Sequence, residues 1–169
     1  MDLSDLLPVE EWIALEKRIC DKFGVDANVF NIDGIRVTDH KAWRNELCPA
    51  IKATDKGQSF ICAVAHMNLA IIAQNTQKPV AEECDAGLLK MVVPIFVGED
   101  FIGTLCACGV LPVDGEADAF LINKITEIET EKIEQLSANI PTITPDQTEA
   151  FVAFAQKRIS EILDTYAKR

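Results

Sequence analysis

Leu88-Leu89-Lys90-Met91-Val92-Val93-Pro94-Ile95-Phe96-Val97, then Gly98-Glu99, then Asp100-Phe101-Ile102-Gly103-Thr104-Leu105-Cys106-Ala107-Cys108-Gly109-Val110-Leu111 is the stretch whose reading decides the fold. Two runs rich in Val, Ile, Leu and Phe flank a Gly-Glu pair, the pattern of two antiparallel strands joined by a tight turn. Strand side chains alternate with period two. Pairing across Gly98-Glu99 therefore predicts Leu89, Met91, Val93 and Ile95 on the same face as Ile102, Thr104, Cys106 and Cys108, with Val92, Phe96, Phe101 and Leu105 on the other. Both faces are apolar, which predicts a central hairpin covered on two sides.

Working outward from this hairpin, a short strand over 80–84 precedes Gly87, and Asp55 with Gln58 reads as the cap and reciprocal partner of a helix over 56–75. Trp43, Leu47, Ala50 and Ile51 predict a further helix over 41–53, with Pro49 as a break or kink. Asp33-Gly34 sits between Val25–Ile32 and Ile35–Thr38, a strong hairpin signal, and Trp12, Leu15, Ile19 and Phe23 give a first helix over 8–23 that stops at Gly24. Downstream, Phe120, Ile125, Ile128 and Ile133 predict a helix over 117–136. Thr144-Pro145-Asp146-Gln147 is a capping box that opens a terminal helix over about 144–168, with Val152, Ala155, Ile159, Ile162, Leu163 and Tyr166 as its stripe. The expected architecture is α+β: one domain over 1–169, with a PAS-like central antiparallel sheet of about five strands, a two-helix insert and long N- and C-terminal helices.

Composition narrows the function classes. The chain has 169 residues and a formal net charge of −11, a surface that repels phosphate backbones and disfavours nucleic-acid binding. Lys90, Glu99 and Asp100 interrupt the most hydrophobic region, so no apolar run approaches the roughly 20 residues of a membrane helix. The acidic start, Met1-Asp2-Leu3-Ser4-Asp5, lacks the basic and apolar regions of a signal peptide, which points to the cytoplasm. Cys20, Cys48, Cys62, Cys84, Cys106 and Cys108 are then expected as reduced thiols.

The sulfur positions carry most of the chemistry. On the helix over 56–75, Phe60, Val64, Met67 and Ile71 form one stripe while Cys62, His66, Leu69 and Ala73 form the opposite one, so the helix is expected to be buried on two sides, one against the sheet and the second lining a cavity or another helix. Cys62 and His66 stand at i and i+4, the spacing at which a helix presents two metal ligands or two pocket groups. No close CxxC pair exists, which argues against a zinc ribbon, although a cluster assembled from distant elements is compatible with the spacing. Cys62 beside His66 is the single nucleophile and base pair, its orienting third member unassigned, and no dinucleotide fingerprint, P-loop or nucleophile elbow is present. Trp12 and Trp43 read as core aromatics, and the terminal stripe serves either its own sheet or a partner helix.

The segments Ile32-Asp33-Gly34, Leu47-Cys48-Pro49-Ala50-Ile51, Ser59-Phe60-Ile61-Cys62, Lys78-Pro79-Val80-Ala81-Glu82-Glu83-Cys84-Asp85-Ala86-Gly87-Leu88, Val93-Pro94-Ile95-Phe96-Val97-Gly98 and Phe101-Ile102-Gly103, in this order and spacing, resemble the PocR ligand-binding domain, a bacterial sensory module with a variant PAS-like fold. The resemblance runs over about residues 8–165, and its most specific element is the three-cysteine framework ending in Cys84-Asp85-Ala86-Gly87-Leu88. It implies binding of a small organic molecule such as a short diol. The signal would pass to an output domain, and since none follows Arg169 the expectation is either a partner in trans or some other use of the domain. Carried over by position, Cys48, Cys62 and Cys84 are the family's cysteines, with Gly87, Pro94 and Gly103 holding backbone geometry nearby. The family commonly has His after the third cysteine, where this chain has Asp85.

The leading expectation is a cytoplasmic, non-enzymatic sensor whose cavity, between sheet and helices, is lined by Cys48, Cys62, His66, Cys84, Asp85, Thr104 and Cys106. Alternatives are a metal or iron–sulfur redox sensor with Cys48, Cys62 and Cys84 as ligands and a fourth from His66, Asp85 or Cys106; a Cys62/His66 enzyme; and a homodimer through the terminal helices.

Overall fold

The computed structural model describes all 169 residues. β4 (Asp100–Pro112) is the centre of the sheet, pairing antiparallel with β1 (Asp26–Asn31) on one side and β3 (Leu89–Val97) on the other. β2 (Val80–Glu83) lies outside β3, giving the order β1-β4-β3-β2, and β5 (Thr142–Ile143) runs parallel to the end of β4. The α+β expectation and the five-strand count hold, but one strand is exchanged. The expected strand at 35–38 shrinks to a single bridge between Arg36 and Phe30, because Asn31 Oδ1 accepts from the Asp33 and Ile35 amides and closes the turn with a side chain in place of a longer ladder. Thr142–Ile143, expected as a linker, takes the fifth place.

The central hairpin turns where expected, with Val97 opposite Asp100 and Phe96 opposite Phe101. One step further the register slips, so that Ile95 faces Gly103 and Ile102 is the extra, bulged residue. A one-residue slip moves every later side chain to the opposite face. Met91 and Val93 therefore share a face with Ala107 and Leu105, while Thr104 and Cys106 join Pro94 and Val92, which corrects the face assignment expected from simple alternation.

The Met91 face is closed by terminal helices. α1 (Leu3–Leu6), α2 (Val9–Phe23) and α8 (Pro145–Tyr166) bury Leu3, Trp12, Ile19, Phe151, Ala155 and Ile159 against Val29, Met91, Val93 and Leu105. α8 opens with the expected capping box, Thr144 and Gln147 bonding reciprocally behind Pro145, and its stripe packs on its own sheet. The single helix expected over 117–136 is two, α6 (Ala119–Thr126) and α7 (Thr130–Ser137). The break is held by Thr126 Oγ1 accepting from Ile128 N and Asn123 Nδ2 donating to Ile128 O, and it lets Ile122 and Ile133 enter one core.

The Val92 face is covered by the insert. α3 (Leu47–Lys52) begins six residues later than expected, because Pro49 fits the first turn of a helix but not its interior, and Asn45 Oδ1 receives the Cys48 amide. Next come α4 (Asp55–Gly57), a π-helical stretch (Gln58–Ala63) and α5 (Val64–Thr76), with Thr54, not Asp55, as the capping side chain. Leu69 and Ala73 pack on Val92 and Cys106. The expectation that this helix is buried on both sides is corrected: Phe60, Met67 and Ile71 are 57%, 56% and 52% exposed, since the insert is the outermost layer there.

Candidate functional site

Between the insert and the Val92 face lies a cavity of about 160 Å³. The sheet contributes Asp26 and Phe30 from β1, Lys90 from β3 and Cys108 from β4; α3 contributes Cys48 and Lys52; the helical run contributes Cys62, Ala63 and His66; and Cys84 closes the far end after β2. Trp43, Arg44 and Asn45 line it from the segment before α3, and Asp33 and Gly34 from the turn after β1. Three of these positions depend on local backbone. The π-helical stretch widens the helix under Cys62, a feature common at functional sites. A second register irregularity between Leu89 and Met91, opposite Gly109 at φ +87°, accompanies Lys90 and Cys108 where they meet the cavity.

The structure brings Cys48, Cys62, His66 and Cys84 to one cavity and leaves the other three expected residues outside its lining. Asp85 is exposed in the turn beyond Cys84. Thr104 and Cys106 are buried behind the wall: the Cys106 thiol donates to Thr104 Oγ1 at 3.3 Å and lies 3.9 Å from His66 Nδ1. Trp43, expected as core, is 38% exposed at the rim with the Lys52 ammonium 5.4 Å from its ring. Sequence reading missed Lys90 and Cys108. The signal for Lys90 was a lone cation inside an apolar strand of a covered sheet, which was read only as an interruption of hydrophobicity.

The electrostatics are dominated by burial. It pushes the Cys48 thiol up to about 12 and the Cys62 thiol up to about 11, so both are protonated at neutral pH. Burial, with Lys90 and Lys52 nearby, lowers His66 to about 3 and keeps its imidazole neutral. Lys90 itself is only 8% exposed, and its ammonium sits 5.4 Å from the Phe30 ring. Burial opposes its charge, and the surrounding sulfurs, Cys108 first, favour the cation only as thiolates. At the back of the cavity Asn45 Nδ2 donates to Gly109 O at 2.9 Å and to Cys48 Sγ at 3.3 Å, tying α3 to β4.

This geometry suits binding better than chemistry. His66 reaches Cys106, not Cys62, and a thiol pushed up beside an imidazole pushed down is the reverse of an activated pair. No three His, Cys, Asp or Glu side chains are arranged to hold a metal ion. The Lys90 ammonium at the cavity also repels a divalent cation.

An antiparallel sheet with one face closed by terminal helices and the other roofed by an insert over a small pocket defines an α+β domain. The family described as the sensory domain found in PocR matches residues 5–166, and the chain belongs to that family. Among curated proteins and solved structures nothing matches it. No helix is long and apolar enough to cross a membrane.

Proposed function

We propose that the chain acts as a single cytoplasmic sensory domain that binds a small organic molecule, a short diol or similar compound, in the cavity between sheet and insert, and relays occupancy without catalysis to a signalling partner. The observation that carries this reading is the cavity of about 160 Å³ beneath the insert in a chain matched nearly end to end by a sensory family. A void of about 150 Å³ admits a guest of benzene size, which sets the ligand at about six heavy atoms. The lining combines an apolar and sulfur-bearing majority with a few polar groups able to orient a guest, among them His66 and Lys90. Because α8 spends its stripe on its own core, a homodimer through the terminal helices would use their outer faces.

A thermal-shift screen of short diols, aldehydes, amines and carboxylates at millimolar concentration tests the reading. A ligand that binds only the folded state at 100 times its Kd adds about 2.7 kcal/mol and raises Tm. Ala63→Trp, which fills the cavity, should abolish the shift. No hit across the screen overturns the proposal.

A further inference from the structure

Lys90 is a buried cation without a counter-ion. It donates no hydrogen bond to the protein and belongs to no ion pair, although it lines the cavity and is only 8% exposed. Its cross-strand neighbour Glu82 is exposed and makes no bridge to it. Of the two carboxylates at the cavity, Asp26 accepts from the Ala42 amide and Asp33 is exposed at the rim. The Phe30 ring, 5.4 Å from the ammonium, offers only a quadrupole. Cys48 and Cys62, protonated at neutral pH, supply no thiolate.

Lys52 and Arg44 add two further cations to the lining, neither in an ion pair, in a chain whose net charge is −11. A protein with surplus acid that leaves a largely buried lysine with its ammonium open to the cavity and no carboxylate beside it has left a place for an anion.

We propose that Lys90 anchors a ligand carboxylate by a charge-assisted hydrogen bond, with the ligand's short carbon chain lying against Phe30 and the cysteine sulfurs. This rests on the pocket reading above and narrows its ligand class from neutral diols to small carboxylic acids, hydroxy acids included. A carboxylate takes three heavy atoms of the roughly six that fit, which leaves a chain of about three more. A lysine amine offers up to three N–H donors and a point charge, which suits a carboxylate oxygen at the cavity wall.

The test titrates sodium butyrate and sodium lactate against 1-butanol and 1,2-propanediol, with sodium chloride at matched ionic strength, into the full chain and into Lys90→Met and Lys90→Arg, read by Tm and calorimetry. The expected result is binding of an acid by the full chain, about 10- to 100-fold weaker in Lys90→Met and largely kept in Lys90→Arg. Ligand-free Lys90→Met should melt at or above the parent, because it removes an uncompensated buried charge. Binding of the alcohols alone, or of acids equally by parent and Lys90→Met, overturns the carboxylate anchor and leaves the pocket reading standing. Binding of none of the four overturns the carboxylate anchor, and the pocket reading falls only if the aldehydes and amines of the wider screen fail as well.

Discussion

The imidazole of His66 lies flat on the ring of Phe30, with centroids 3.9 Å apart and planes inclined at 27°. The Lys90 ammonium addresses the same ring at 5.4 Å, so helix α5, strand β1 and strand β3 meet at one aromatic surface on the cavity wall. A protonated imidazole in this stack would stand near Lys90 and Lys52, away from water, and the neutral form is enforced by place more than by any single bond.

That placement makes acid the weak side of the fold. His66 is lowered to about 3 in the folded chain from an ordinary 6.5, so the unfolded chain binds the extra proton between those values, and stability from this group is complete above about pH 6.5 and lost as pH falls towards 3. Urea unfolding at pH 6.5 and pH 4 should show a loss of about 3 kcal/mol in the parent that His66→Phe does not share. An imidazole that titrates above pH 5 by NMR in the native chain would defeat this account.

Glu16 works in the opposite sense. Its carboxyl is fully buried, accepts from Val29 N at 2.9 Å and Thr38 Oγ1 at 2.6 Å, and has Arg36 and His40 at 3.7 and 3.5 Å from its other oxygen. Burial outweighs these contacts and raises it to about 7 from 4.5. The folded chain therefore holds the proton more tightly, and this stability is complete below about pH 4.5 and lost as pH rises through 7. Between pH 4.5 and 8 the parent should lose about 2 to 3 kcal/mol relative to Glu16→Gln in paired unfolding curves. Parallel curves would show that the carboxyl is ionised throughout.

The sequence pattern was legible where a single period governs it. The turn at Gly98-Glu99, the helix ending at Gly24 and the capping box at Thr144 all stand as expected, because each is fixed by local chemistry. The slip at Ile102 was not legible: alternation assigns a face to each side chain but carries no count of extra residues, so Thr104 and Cys106 were placed on the wrong face. The helix over 117–136 broke because Thr126 and Asn123 serve the backbone of Ile128, a competition that apolar spacing does not register. At the site, the cysteines were visible as residues of an unusual kind, whereas Lys90 became visible only once β3 was seen to be covered and its neighbours to hold no free carboxylate.

The joint between α3 and the π-helical stretch sets how far Cys48 stands from Cys62, and Gly57 is its contact point. A Cβ built there would meet the Ile51 carbonyl oxygen at 2.2 Å, Thr54 Oγ1 at 2.5 Å and Ile51 Cγ2 at 2.9 Å. The backbone dihedral is helical and any residue could adopt it, so the constraint is space alone. Two of the three obstructing atoms belong to the capping turn itself: Thr54 Oγ1 receives the Gly57 amide at 3.0 Å and donates to the Ile51 carbonyl at 2.8 Å, so neither can retreat without opening the cap. Overpacking a tight contact costs about 1 to 3 kcal/mol, and losing a Thr cap about 1 more. At about 2 to 4 °C per kcal/mol for a chain of this size, Gly57→Ala should lower Tm by about 5 to 15 °C, while Lys56→Ala, one residue away and exposed, should leave it nearly unchanged. Equal melting of both variants in differential scanning calorimetry would mean that the insert yields freely at this joint, and the spacing of the two thiols would then be set elsewhere.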